Sequence, residues 1–151
     1  LNTYMRQVIR ENGLTDPAKI RIGGKGVDLS KVKTPVRFVS MKEDHVTGWK
    51  ATYSGMTMFG GRTEFIMGGS GHFAGVINPR AANKHGFWTS KARPATAEEW
   101  LDGAERHEGS WWTYWQKQIA KGQKQVPARV PGEGKLKAIE AAPGSYVRLN
   151  G

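Results

Sequence analysis

No cysteine occurs among the 151 residues of this chain. A disulfide framework, a thiolate metal site and a cysteine nucleophile are thereby excluded within it, and any thiol chemistry must come from elsewhere. Long apolar runs are missing too. No segment approaches the ~20 residues needed to span a bilayer, and Leu1-Asn2-Thr3-Tyr4-Met5 has no apolar h-region, so a soluble chain without a signal peptide is expected. Clustered charge of one sign is the third absence. The formal net charge is +10, from 23 Lys and Arg against 13 Asp and Glu, yet residues 1–75 and 76–151 each carry +5 with the signs interspersed. Nucleic-acid binders concentrate their positive charge on one face. The mild gathering of Lys117, Lys121, Lys124, Arg129, Lys135 and Lys137 reads instead as a solvated tail or a field for an anionic ligand.

What is present is an ordinary domain length, 38% hydrophobic and 10% aromatic residues, and 20 glycines, which together predict an ordered but loop-rich chain. Residues 2–12 read as a helix with Met5, Val8 and Ile9 on one face and Gly13 as a stop. Ile20-Arg21-Ile22 and Val27-Asp28-Leu29 flank Gly23-Gly24-Lys25-Gly26, a hairpin signal. A phosphate loop would need a Lys-Ser/Thr ending and an immediate helix, which Val27-Asp28 does not supply.

After Pro35, Val36 to Met41 predicts a strand, Trp49, Tyr53, Met56 and Phe59 predict a helix ending at Gly60-Gly61, and Thr63 to Met67 predicts a second strand. A strand, helix, strand order of this length joins two parallel strands. Residues 75–94 read as irregular. Thr96-Ala97-Glu98-Glu99 has capping-box spacing, and Trp100, Ala104, His107, Trp111, Trp115 and Ile119 recur at helical spacing, divided near Gly109-Ser110. That stripe reads either as core packing or as an exposed contact surface. The boundaries expected are 1–122 for the folded portion and 123–151 for an extended tail containing Pro and Gly.

In a parallel pair, adjacent strand ends open on one edge, so Asp44 and His72, each just past a predicted strand, can meet although 28 residues separate them. A carboxylate on one imidazole nitrogen fixes the tautomer and leaves the other nitrogen to accept a proton. The plainer readings stay open at this stage: Asp44 as a loop residue or helix cap, and His72 as a structural histidine. His45 is a competing base. Ser70, in Gly68-Gly69-Ser70-Gly71-His72, nearly imitates a nucleophile elbow, but such an elbow precedes acid and base in the chain. His85 and His107 have no metal-ligand spacing, and no metal site is expected.

Several segments closely resemble the carboxyl-terminal part of polyhydroxyalkanoate synthases. They are Glu43-Asp44-His45-Val46-Thr47-Gly48-Trp49, Gly61-Arg62-Thr63-Glu64-Phe65-Ile66-Met67, and the run from Ser70-Gly71-His72 through Gly75-Val76-Ile77-Asn78-Pro79. Trp88-Thr89, Glu99-Trp100-Leu101, Gly109-Ser110-Trp111-Trp112-Thr113-Tyr114-Trp115 and Ala142-Pro143-Gly144-Ser145-Tyr146-Val147 continue the resemblance almost end to end. The wording of residues 75–79 is most similar to the class I enzymes, which favour short-chain monomers.

The resemblance implies an α/β fold: the last parallel strands and helices of an α/β-hydrolase, incomplete alone. It implies an acyltransferase that polymerises (R)-3-hydroxyacyl-CoA into polyester and releases CoA, with the CoA thioester as substrate and no cofactor. Asp44 matches the family's acid and His72 its general base. The family's nucleophile is a cysteine in a Gly-x-Cys-x-Gly elbow, which this chain lacks and which is expected upstream of Leu1. Asp44 then either activates the substrate hydroxyl or orients His72. The implied partners are the growing polyester, the granule surface, the rest of the synthase chain and a second copy in a homodimer. The implied location is cytoplasmic and granule-associated. A related esterase or polyester depolymerase, and a non-catalytic basic binding module, are the rival readings; no nucleic acid and no transmembrane segment are expected. The segment alone is expected to be inactive and poorly soluble.

Overall fold

Helical winding begins at Asn2, as the spacing of Met5, Val8 and Ile9 predicts, but only Asn2–Tyr4 (α1) is α-helical; Met5–Arg10 widens into a π-helix, and the Glu11 N–H reaches back to the Arg6 carbonyl. A computed structural model describes residues 1–149 apart from Ala18 and Pro131. None of the side chains of residues 2–10 is buried. A hairpin forms where expected but with a tighter turn: Arg21–Ile22 (β1) pairs antiparallel with Lys25–Gly26 (β2), residues expected in the turn, and Leu29–Lys31 is a 3-10 helix rather than strand. Gly23 and Gly24 take φ of +54° and +77°, the paired positive values that a two-residue hairpin turn demands and that glycine adopts without strain.

The main sheet carries the rest of the first compact unit, Leu1–Gln118. Val36–Met41 (β3) and Thr63–Gly68 (β4) lie parallel and in register, from Val36 opposite Thr63 to Met41 opposite Gly68. Trp49–Thr57 (α2) is the crossover between them. Both faces of β4 are buried. On one side Phe65 and Met67 pack with Tyr53 and Met56 of α2 and with Ala97 and Trp100 of Ala97–Asp102 (α3). On the other, Ile66 packs with Met41, Phe87 and Trp111, the last from Trp111–Ala120 (α4). A strand buried on both faces reads as the near-continuous apolar run seen at residues 65–67. The Thr96 capping box forms as expected, its hydroxyl accepting from Glu99 N–H while the Glu99 carboxylate accepts from Thr96 N–H.

Two expectations need correction. Residues 75–94 are not wholly irregular: Phe87–Thr89 forms a strand (β5) antiparallel to β4. The helix expected to run on from Thr96 stops at Asp102, and Glu105–His107 forms a further strand (β6) antiparallel to β5. Ala104 and His107 matched the helical period, but Gly103 ends the helix, and β5 offers a free edge to pair. The sheet order is therefore β3-β4-β5-β6, mixed rather than all parallel. Among the described residues β3 pairs only with β4, so its outer edge carries no strand.

Among the described residues of the second compact unit, Ile119–Gly151, Tyr146–Arg148 forms a short 3-10 turn and none is buried. No described helix is long and apolar enough to cross a membrane.

Trp100 is 1% exposed and packs edge-on against Phe65 and obliquely against Tyr53. Replacing it with alanine is expected to cost about 3–5 kcal/mol, visible as a lowered urea midpoint by circular dichroism. An unchanged midpoint would show that this core does not carry the sheet.

Candidate active site

Backbone hydrogen bonds continue past the ends of β3 and β4. Lys42 N–H donates to the Gly68 carbonyl at 2.8 Å and Glu43 N–H to the Ser70 carbonyl at 3.1 Å, so the two chains leave the sheet side by side. Asp44 follows on one and His72 on the other. Their side chains meet, with His72 Nδ1 2.8 Å from Asp44 Oδ2. The other carboxylate oxygen, Oδ1, accepts from the Val46 and Thr47 N–H groups, each at 2.8 Å. The Asp44 side chain is only 7% exposed, the His72 side chain 36%.

Those bonds hold the carboxyl well below its ordinary value of 3.8, down to about 2, with the Thr47 amide as the largest cause and the His72 side chain next. An ionised carboxylate can only accept, so the proton of the shared bond sits on His72 Nδ1. That assigns the tautomer: in the neutral ring, Nε2 is unprotonated, and it has no hydrogen-bond partner among the described residues. The arrangement is an imidazole base held by a fixed carboxylate. The Phe73 ring stands edge-on to the imidazole at 5.2 Å and is itself exposed.

The remaining candidates separate from this pair. His45 is exposed and has no bond to either residue. Ser70 takes φ of +70° and contributes its carbonyl to the Glu43 amide. His107 stacks on Phe87 at 4.7 Å, with Nε2 2.8 Å from Thr89 Oγ1, a structural role. His85 is exposed at φ of +75°. Among the described residues no three His, Asp or Glu side chains are grouped to hold a metal ion.

A cavity of about 800 Å³ opens at the opposite, amino-terminal end of β4, lined by Arg62, Thr63, Glu64, Arg93, Glu105 and Tyr114 among others. Burial, and then the hydrogen bond to Glu64, push the Tyr114 hydroxyl up to about 12. Neither Asp44 nor His72 lines that cavity.

One set of residues escaped the sequence reading. Asn78 is buried, donates its amide to the Lys84 carbonyl and accepts from Lys84 N–H. Ser110 donates to the Asn78 carbonyl, and its own N–H donates to Asn83 Oδ1 at 3.0 Å. The Trp111 indole N–H donates to the Gly75 carbonyl at 3.0 Å and that of Trp112 to the Val76 carbonyl at 2.8 Å. The only signal for these contacts was that residues 75–79 and 109–115 both belong to segments that resemble one family.

That resemblance holds against known proteins. The chain is 39% identical over 147 residues to the poly(3-hydroxyalkanoate) polymerase subunit PhaC of Cupriavidus necator, a match covering 96% of the chain and 25% of that protein. It is 41% identical over 147 residues to the PhaC subunit of Rhizobium meliloti, covering 97% and 24%. It is 33% identical over 144 residues to poly(3-hydroxyalkanoate) polymerase 1 of Ectopseudomonas oleovorans, covering 93% and 26%. The chain thus spans about a quarter of the length of these relatives and corresponds to their carboxyl-terminal part. No protein-family model matches it.

The depressed Asp44 value has a direction that can be measured. The folded state favours the carboxylate, so Asp44 contributes stability fully above its ordinary value of 3.8, and this is lost as pH falls from there through about 2. In a carboxyl-carbon NMR titration the Asp44 resonance is expected to stay in its ionised position down to about pH 3. A midpoint near 4 would mean that the amide cradle does not form.

Proposed function

We propose that this chain is the carboxyl-terminal portion of an α/β-hydrolase-fold polyhydroxyalkanoate synthase, in which His72 is the general base and Asp44 its orienting acid. The observation that carries the reading is the 2.8 Å Asp44–His72 bond at the carboxyl ends of two in-register parallel strands. Similarity over nearly the whole chain to polymerases about four times as long supports it. The open outer edge of β3 fits a sheet that continues in preceding chain.

The reaction this site serves is acyl transfer from (R)-3-hydroxyacyl-CoA to a growing polyester. His72 Nε2 takes the proton of a cysteine thiol contributed by preceding chain, because the thiolate is the reactive form. The sulfur attacks the thioester carbonyl, its bond to the CoA sulfur breaks, and the imidazolium returns the proton to the departing CoA thiolate. In the next half-reaction the same nitrogen removes the proton of a 3-hydroxyl, whose oxygen attacks the enzyme-bound acyl carbon and releases the cysteine. Asp44 is a poor candidate for that second deprotonation. Both of its oxygens are already engaged, and a carboxyl near 2 is too weak a base to compete with an imidazole. Its role is to hold the Nδ1–H tautomer and stabilise the imidazolium.

The substrate is the CoA thioester, and this chemistry needs no resident cofactor or metal. The class I, short-chain assignment rests on the resemblance of residues 75–79 to that class. Assembly as a homodimer on a granule surface in the cytoplasm belongs to the same proposal. A depolymerase or esterase would carry a serine elbow upstream, and a basic binding module would not need the buried carboxylate cradle.

In the full enzyme, His72→Ala is expected to lower CoA release at least ~10³-fold. Asp44→Asn keeps an oxygen for the two amides but presents N–H to Nδ1, which moves the ring proton to Nε2; a loss on the order of 10⁴-fold is expected, without loss of folding. The isolated 151-residue chain should release no CoA. Wild-type rates in His72→Ala, or turnover by the isolated chain, would sink the reading.

A further inference from the structure

The segment that bears His72 has little apolar surface to anchor it. Phe73, Ala74, Val76 and Ile77 are all exposed, and within residues 71–77 only Gly75 is buried. Its own backbone bonds are local: Gly75 N–H to Gly71 carbonyl at 3.0 Å and Ile77 N–H to Phe73 carbonyl at 2.9 Å. One helical turn closed by two such bonds is marginal by itself. Hydrophobic burial therefore cannot be what fixes the imidazole against Asp44.

Fixed donors do it instead. Ser110, Trp111 and Trp112, three consecutive residues at the start of α4, direct a hydroxyl and two indole N–H groups onto the carbonyls of Asn78, Gly75 and Val76 respectively. The Ser110 hydroxyl also accepts from Trp112 N–H at 3.1 Å, which sets the first turn of the helix. Gly75 is seated directly on Met41 of β3, where a Cβ would overlap the Met41 sulfur and the Gly69 carbonyl. The base-bearing turn is thus gripped from α4 and pressed onto the sheet.

We propose that Trp111 and Trp112 are positioning residues for the His72 base, acting through their indole N–H groups on the carbonyls of Gly75 and Val76. The proposal rests on the reading of His72 as the base and goes beyond it by assigning the geometry of that base to α4. Displacements of about 1 Å in such a group cost on the order of 10²-fold in rate, so the grip matters although it touches no reacting atom.

The test uses the full enzyme and begins at Trp112, which is only partly buried, so that its replacement leaves the fold in place. Trp112→Phe is expected to lower kcat about 3- to 10-fold with KM unchanged. Benzothienylalanine at position 112, which keeps the ring shape but has no N–H, should reproduce the loss, and 7-azatryptophan, which keeps the N–H, should restore the rate. Amides of residues 73–78 should exchange with solvent faster in Trp112→Phe. In an Asp44→Asn background the same change should cost less than about twofold, because the productive tautomer that the grip serves is already lost.

Full kcat in the benzothienylalanine enzyme, or equal losses with and without Asp44, would overturn the positioning role and leave Trp112 as packing. Activity retained in His72→Ala would instead overturn the underlying functional reading, so the two failures are told apart.

Discussion

Six consecutive parallel pairings, from Val36 opposite Thr63 to Met41 opposite Gly68, are the constraint on which everything else in the first unit depends. They set the level at which the two strands end, and with it the starting points of the loops that carry Asp44 and His72. A slip of one residue would shift those loops by about 3.3 Å and turn Phe65 and Met67 from the α2 side of the sheet to the α4 side. Register is therefore enforced by burial on both faces. The same pattern that builds the core also brings a carboxylate to an imidazole.

How much of this was legible in the residues depended on how long each signal was. β3, α2 and β4 each carry six or more residues of consistent period, and their order alone implies the parallel pair. β5 and β6 are three residues each, and Glu105-Arg106-His107 has no apolar residue to mark it as a strand. Its pairing is decided by the free edge of β5, a tertiary fact. Ala104 and His107 fall on the helical period of Trp100 by coincidence, so β6 reads as a continuation of α3, whereas the break at Gly109-Ser110 ahead of α4 is legible. The π winding of Met5–Arg10 likewise leaves no compositional trace.

The site divides in the same way. Asp44 and His72 stand just beyond two legible strand ends, so their meeting follows from the strand order itself. The contacts that hold the His72 turn could not, because Asn78, Asn83 and Ser110 are ordinary loop residues whose importance lies in which carbonyl or amide each one reaches. The tryptophans were visible, but as apolar bulk. Trp100 and Trp111 do pack in the two cores, while the indole N–H groups of Trp111 and Trp112 have a separate, polar task that hydrophobic periodicity does not encode. One side chain here serves two faces of the structure at once, apolar ring inward and N–H toward a backbone carbonyl.

The hydrogen bonds from residues 110–112 to residues 75–78 also have a direction in time. A ribosome delivers the strands and both site residues first, and the start of α4 roughly forty residues after His72. Until that helix emerges, the turn that bears the imidazole lacks the three donors that grip its carbonyls. A nascent chain thus carries the carboxylate and the imidazole without a fixed geometry between them, and chemistry that depends on that geometry is deferred until the start of α4 has been made.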